Sequence, residues 1–253
     1  AEISCYIDDK IDVKDLCNYI AEQLKEMSAY LPVGSGKISL GETEDKDWIN
    51  NWKEFFHPFR LEDNIVIQPT WTEIADAKPD DIVIHIDPGV AFGTGSHETT
   101  KLCIANLKKY IRPDGTTSVM DAGCGSGILA ICASKLGAGE CRAYDIDPMA
   151  VRVANENIRE SGQGNITCQV SDLLRQVDDS RPYDLITANI VADIIIRMSP
   201  DVGRLMHASS VLLVSGIIAE RAEDVVQALD AHGLRVVERV EDNGWCAMAA
   251  MKK

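Results

Sequence analysis

Apolar residues recur along the chain at two different spacings, and the change from one to the other divides it. Over Val13 to Met27 the apolar positions Val13, Leu16, Cys17, Ile20, Ala21, Leu24 and Met27 return every three or four residues, which predicts an amphipathic helix. Ile3 to Ile7 before it and Gly36 to Leu40 after it alternate instead, the pattern of half-buried strands. The chain opens at Ala1, without a methionine and directly in this strand pattern, so an upstream start is expected and the unit reads as incomplete. Asp47 to Phe56 predicts a connecting helix, with Asp47 as its cap and Trp48, Trp52, Phe55 and Phe56 on adjoining faces suited to packing between domains.

From Ile65 onward strand and helix patterns alternate, which implies a parallel sheet covered by helices on both faces. After Ile82 to Ile86, strands are predicted at Ser118 to Asp121, Cys141 to Tyr144, Ile166 to Val170, Leu185 to Ala188, Val211 to Ser215, Leu234 to Glu241 and Trp245 to Met251. Helical spacing marks Ile128 to Leu136 and Glu220 to Ala231. The last two strands flank Asp242-Asn243-Gly244, where an Asn-Gly pair fits a type I′ hairpin. A parallel run therefore ends antiparallel.

Composition adds little to this and charge adds more. With 45% hydrophobic and 26% charged residues the chain is an ordinary globule. No apolar run approaches the roughly 18 residues of a membrane span and no secretory signal opens it, so a soluble cytoplasmic protein without membrane contact is expected. Eight cysteines form no Cys-x-x-Cys pair and five histidines are scattered, which points to reduced thiols and no metal site. The net charge of -15 is concentrated early, residues 1 to 81 holding 18 acids against 8 bases. Such a surface repels phosphate backbones and favours a basic partner, so direct nucleic-acid binding is not expected. No separate self-association element stands out, and a monomer is expected.

The candidate chemistry lies at the ends of the predicted strands. Asp121-Ala-Gly123-Cys-Gly125-Ser-Gly127 runs from a strand into a helix, and its glycines let the backbone approach a ligand beside unpaired helix N–H groups. The third glycine of a dinucleotide fingerprint is replaced by Ile128, and the Asp121 carboxylate opposes a pyrophosphate but suits an ammonium group. Asp145, 22 residues after Gly123, ends the next strand where it can accept both ribose hydroxyls, with Ile146 against an adenine face; NAD and S-adenosylmethionine both satisfy that pair. Asp172 follows the next strand and is placed to take the adenine amino group or to cap a helix. Asn189 ends an otherwise apolar strand over the sheet crevice, where its carbonyl can accept N–H from an incoming amine. Asp87 to Thr100, with its glycines, hydroxyls and His97, reads as a ligand-facing mobile loop suited to folding over a carboxylate.

Together, Asp87-Pro-Gly-Val-Ala-Phe-Gly-Thr-Gly-Ser-His-Glu-Thr-Thr, Asp121-Ala-Gly-Cys-Gly-Ser-Gly-Ile-Leu-Ala, Asp145-Ile-Asp-Pro and Ala188-Asn-Ile-Val-Ala resemble the PrmA-type methyltransferases of ribosomal protein L11. These are class I S-adenosylmethionine-dependent enzymes, and the resemblance runs from about Asp47 to the carboxyl terminus. It implies an α/β fold, a Rossmann-like seven-stranded sheet with an antiparallel last strand, preceded by a small and incomplete α+β domain. It implies that Phe92, Gly93, Thr94, His97 and Thr100 hold the methionine end of the cofactor, with Gly123 in the loop, Asp145 at the ribose and Asn189 near the transferred methyl. The activity implied is methylation of lysine and amino-terminal amines of ribosomal protein L11. Residues 1–46 would be the substrate-docking domain, 47–62 a connector and 63–253 the methyltransferase domain. Another protein or small amine as substrate, or a cofactor-binding module without catalysis, are the alternatives. A nicotinamide dehydrogenase lacks its glycine pattern here.

Overall fold

The fold comes from a computed structural model that describes residues 12–28, 33–41, 57–61, 64–87, 97–177 and 180–253. The chain divides into two compact units, Ala1–Phe55 and Phe56–Lys253. In the first, α1 (Val13–Met27) has the bounds its periodicity predicts, and the Asp12 carboxylate caps it by accepting from the backbone N–H groups of Lys14 and Asp15 at 2.9 and 3.2 Å. Gly36 to Leu40 corrects the sequence reading: it carries no strand. A strand needs a ladder partner, and none of the described residues supplies one. The predicted strand Ile3 to Ile7 and helix Asp47 to Phe56 lie outside the described residues.

The second unit begins with a small sheet. β1 (Phe59–Leu61) pairs antiparallel with β2 (Ile65–Gln68), and β3 (Ile82–His85) runs parallel to β2. β1 falls within the segment read as connector; three residues are too few to show a period.

The large sheet holds β4 (Ser118–Ala122), β5 (Glu140–Asp145), β6 (Ile166–Val170), β7 (Tyr183–Asn189), β8 (Met206–Ile218), β9 (Leu234–Asp242) and β10 (Trp245–Lys252). Their spatial order is β6-β5-β4-β7-β8-β10-β9, and β10 runs antiparallel to both its neighbours. The seven strands and the reversed last strand of the expected class I architecture are thus present. Asn243 and Gly244 sit at φ 48° and 80°, the doubly positive pair that a two-residue type I′ turn requires.

Alternation along each central strand sorts apolar residues into two layers. Val119, Leu185 and Leu213 pack on one face with Ile104 and Leu107 of α2 (Glu98–Tyr110), Ile131 of α3 (Ile128–Lys135) and Ile158 of α4 (Pro148–Glu160). Met120, Ile186 and Leu212 pack on the other with Ile195 and Met198 of α5 (Ala192–Val202) and Val225 and Leu229 of α6 (Ala222–Ala231). Parallel strands buried on both faces are what forces near-continuous apolar runs in the sequence. α2 is a second correction, because the sequence reading extends a loop to Thr100 where a helix has already begun at Glu98. Cys103, Cys124, Cys132, Cys141, Cys168 and Cys246 are buried and unbridged. Among the described residues no helix is long and apolar enough to cross a membrane.

Candidate functional site

After β4 the chain moves outward to β5 and β6, then returns to lay β7 on the other side of β4. That reversal opens a crevice at the carboxyl ends of these strands, where ligands of open α/β sheets bind. The glycine loop fills its floor. Gly123, Gly125 and Gly127 all adopt positive φ, and the N–H groups of Gly123 and Cys124 donate to the Tyr144 carbonyl at 2.8 and 3.0 Å, tying the turn to β5. A Cβ on Gly123 would lie 2.4 Å from Ile190 Cγ2, so the residue after Asn189 presses directly on this loop. Gly127 caps α3 without a side chain, so the cap itself offers no acceptor to the first helical N–H groups.

Asp145 closes the loop from the β5 side. Gly125 N–H donates to its Oδ2 at 2.9 Å and Asp147 N–H to its Oδ1 at 3.0 Å, so the carboxylate is oriented by two backbone groups. Asp147 caps α4, whose first residue is Pro148, and this explains the local sequence Asp145-Ile-Asp-Pro. Ile146 between them is 63% exposed, an apolar surface open beside an ordered carboxylate.

Asp121 is the unusual member. It is 1% exposed, its Oδ1 accepts from the Thr187 hydroxyl at 2.7 Å, and its Oδ2 has no hydrogen-bond partner. Burial pushes its carboxyl up to about 7, helped by repulsion from Asp145, while the Thr187 hydroxyl pulls it down.

Asn189, the last residue of β7, repeats the motif of an orphaned oxygen. Its Nδ2 donates to the hydroxyl of fully buried Thr100 at 3.3 Å, whereas its Oδ1 is buried and unpartnered. The backbone around it is held on every side. Ser215 lies opposite on β8, receives the Ile190 N–H on its carbonyl at 3.1 Å, and donates its hydroxyl to the Thr99 carbonyl at 3.1 Å. Gly216 follows at φ 82°, where a Cβ would come within 2.6 Å of the Ile190 carbonyl oxygen. Gly216→Ala therefore combines a left-handed backbone with a clash against main chain, and should lower unfolding free energy by about 2 kcal/mol. A urea midpoint unchanged by this substitution would show that the backbone at Ile190 yields freely.

His97 caps α2 through Nδ1, which accepts the Thr99 N–H at 3.3 Å, and its ring meets Trp245 of β10 edge-on at 4.8 Å. Asp172 is placed less favourably for its expected role. Its Oδ1 pairs with Arg197 at 3.0 Å and its Oδ2 with Arg175 at 2.6 Å, so both oxygens already have cationic partners. The structure thus gathers Thr100, Asp121, the three glycines, Asp145 and Asn189 around one crevice, with His97 at the head of α2. Phe92, Gly93 and Thr94 lie outside the described residues. Sequence reasoning missed Thr187, Ser215 and Trp245. Thr187 lies inside a predicted strand, Ser215 at the last residue of one and Trp245 at the first of another, where side chains read as packing, and only the register reveals what they face.

The family profile described as "Ribosomal protein L11 methyltransferase (PrmA)" matches residues 1–253. A protein from Lachnoclostridium phytofermentans named ribosomal protein L11 methyltransferase is 45% identical over 272 residues, covering 100% of this chain and 81% of the relative. A namesake from Caldicellulosiruptor saccharolyticus is 41% identical, again over 100% of this chain and 81% of its own length. Among solved structures, a ribosomal protein L11 methylase from Lactobacillus delbrueckii subsp. bulgaricus superposes with a TM-score of 0.72 at 32% identity, covering 78% of this chain and 100% of that one. The precorrin-6y C5,15-methyltransferase from Geobacter metallireducens, at a TM-score of 0.52 and 19% identity over 59% of this chain and 86% of its own, shares the fold alone. With glycine loop, ordered carboxylate and reversed strand in place, and with identity sustained over its whole length, this chain belongs to the ribosomal protein L11 methyltransferase (PrmA) family.

Proposed function

We propose that the chain transfers methyl groups from S-adenosylmethionine to lysine and amino-terminal amines of ribosomal protein L11. The observation that carries this reading is the pair of buried, unpartnered acceptors, Asp121 Oδ2 and Asn189 Oδ1, at the mouths of β4 and β7. A buried acceptor without a donor costs about 1 to 3 kcal/mol, so two at one crevice fit a site whose donors arrive with its ligands. An ammonium suits Asp121, and an amine N–H suits Asn189.

The residues fit the cofactor along its length. Asp121 takes the ammonium, the Gly123-Cys-Gly125-Ser-Gly127 loop lets the backbone approach, Asp145 accepts the ribose hydroxyls and Ile146 lies against the adenine. Asp172 would reach the adenine amino group only by sharing an oxygen with Arg175 or Arg197. Family resemblance adds Phe92, Gly93, Thr94, His97 and Thr100 at the methionine end. S-adenosylmethionine supplies, when bound, an electrophilic methyl on a cationic sulfur.

The remaining task is to present a neutral amine in line with that methyl. A lysine with a pKa near 10.4 is neutral in roughly one molecule in 2,500 at pH 7, a cost of about 4.6 kcal/mol. A dry site next to a cation lowers that cost by disfavouring the ammonium form. Asn189 then orients the neutral nitrogen by accepting one of its N–H bonds, and no dedicated general base is required. The acidic balance of residues 1 to 81 supports a basic protein substrate, with residues 1–46 as docking domain, 47–62 as connector and 63–253 as the transferring domain. A soluble, cytoplasmic monomer completes the reading.

Intact-mass spectrometry of purified ribosomal protein L11, incubated with this chain and S-adenosylmethionine, tests the proposal directly. Mass steps of one methyl group are expected, absent without enzyme. An unchanged mass alongside measured cofactor binding would move the substrate to another protein or small amine, or make the chain a module without catalysis.

A further inference from the structure

Asp121 stands beside Thr187 across the β4–β7 ladder, and both are 1% exposed. The Thr187 hydroxyl has one proton and two acceptors within reach, Asp121 Oδ1 at 2.7 Å and the Met120 carbonyl at 3.4 Å. It can serve only one of them at a time. Among the described residues, the other titratable groups acting on Asp121 do not balance a negative charge there. Asp145, from β5, repels it. Cys103 from α2 and Cys141 from β5 are both pushed up to about 12, and Cys124 of the glycine loop is raised well above the ordinary thiol range, so all three are neutral. Among the described residues, the Ala130 peptide N–H, in the first turn of α3, is the other group favouring the anion. Among the described residues no cationic side chain pairs with Asp121, and its Oδ2 is bare.

We propose that Thr187 is the positioning residue that sets the charge of Asp121, making cofactor binding and release of one proton a single linked event. It rests on the cofactor reading above. In the empty site Asp121 retains a proton and the Thr187 hydroxyl is free to turn to the Met120 carbonyl. When an ammonium docks at Oδ2, Asp121 gives up that proton to solvent and Thr187 donates to Oδ1, stabilising the carboxylate. The sign follows from linkage: the ligand selects the deprotonated form, so affinity rises with pH through the titration of Asp121 and protons are released below it.

Calorimetry in two buffers of different ionisation enthalpy counts the protons. S-adenosylhomocysteine carries the same ammonium without a reactive methyl, and 5′-methylthioadenosine lacks the amino-acid end altogether. With titration near pH 7, S-adenosylhomocysteine should release about 0.9 proton at pH 6 and about half a proton at pH 7, binding about fivefold more tightly at the higher pH. The methylthioadenosine should release none. Thr187→Val keeps the shape and removes the donor, so its release at pH 7 should approach one proton with affinity about fivefold lower or more; Thr187→Ser should behave as the native chain. If the valine variant does not fold, Thr187→Ala carries the same expectation. Binding of S-adenosylhomocysteine without proton release, or a hydroxyl-free variant with the native proton count, would overturn the proposal and leave the cofactor reading standing. Failure of S-adenosylhomocysteine to bind at any pH would overturn the cofactor reading itself.

Discussion

Asn189→Ala is expected to lower single-turnover methyl transfer by about a hundredfold to a thousandfold, while S-adenosylmethionine affinity changes by less than about threefold. The asymmetry follows from which atom is occupied. Asn189 Nδ2 is already used on Thr100, and Thr100 is fully buried, so Oδ1 is left as the amide's unpartnered acceptor. Ser215 and Ile190 fix the backbone behind it, so the carbonyl dipole needs no reorganisation when an amine arrives. Removing one such preorganised dipole costs about 3 to 4 kcal/mol in the transition state and little in the ground state. Asn189→Asp makes a second test of the same idea. A carboxylate there favours the protonated amine, so turnover should be low at neutral pH and recover as pH rises. Equal losses of turnover and cofactor affinity in the alanine variant would remove Asn189 from the role of orienting the amine.

How much of this was legible in the sequence depended on whether a residue's partner lay nearby in the chain. The unbroken apolar runs through Val119-Met120 and Leu185-Ile186 mark strands buried on both faces, and the structure divides those same residues between the two apolar layers. Asn243-Gly244 announced the reversal of the last strand because the turn demands positive φ from both residues. Asp145 and Asn189 are legible because each stands at the carboxyl end of a strand whose pattern is clear, where such a sheet opens its crevice, and Gly123 because it begins a glycine turn between strand and helix. Asp172 is placed by the same rule, but its two ion-pair partners, Arg175 in the next turn and Arg197 on α5, are not legible from the strand pattern. Thr187 and Ser215 were invisible because a hydroxyl inside an apolar strand acquires meaning only from the register that sets it beside Asp121 or beneath Thr99. Gly36 to Leu40 differs in the opposite direction: the alternation is real, but a strand exists only with a partner and none of the described residues supplies one.

Asp121→Asn is expected to make the chain more stable and the cofactor weaker, with both effects dependent on pH. The folded-state pKa near 7 lies above the unfolded value near 3.9, so the native state binds this proton more tightly. The stability it contributes is fully present below about pH 4 and is lost as pH rises through about 7, a decline of up to about 4 kcal/mol. An asparagine does not titrate and escapes that decline. Its amide oxygen can still accept from Thr187, but its NH2 group takes the position of the bare Oδ2 and leaves a buried donor unmatched, at about 1 to 3 kcal/mol. Net, the variant should be more stable than the native chain by about 1 to 3 kcal/mol at pH 8 and no more stable at pH 4, so the two stability curves cross between. Cofactor affinity should move the other way, falling by about tenfold to a hundredfold at pH 8 where the native carboxylate is charged. Chemical denaturation at pH 4, 6 and 8, with calorimetry on the same samples, measures both. A variant less stable than the native chain at pH 8 would mean that the carboxylate is not held at a cost, and that its charge is balanced within the fold rather than by the ligand.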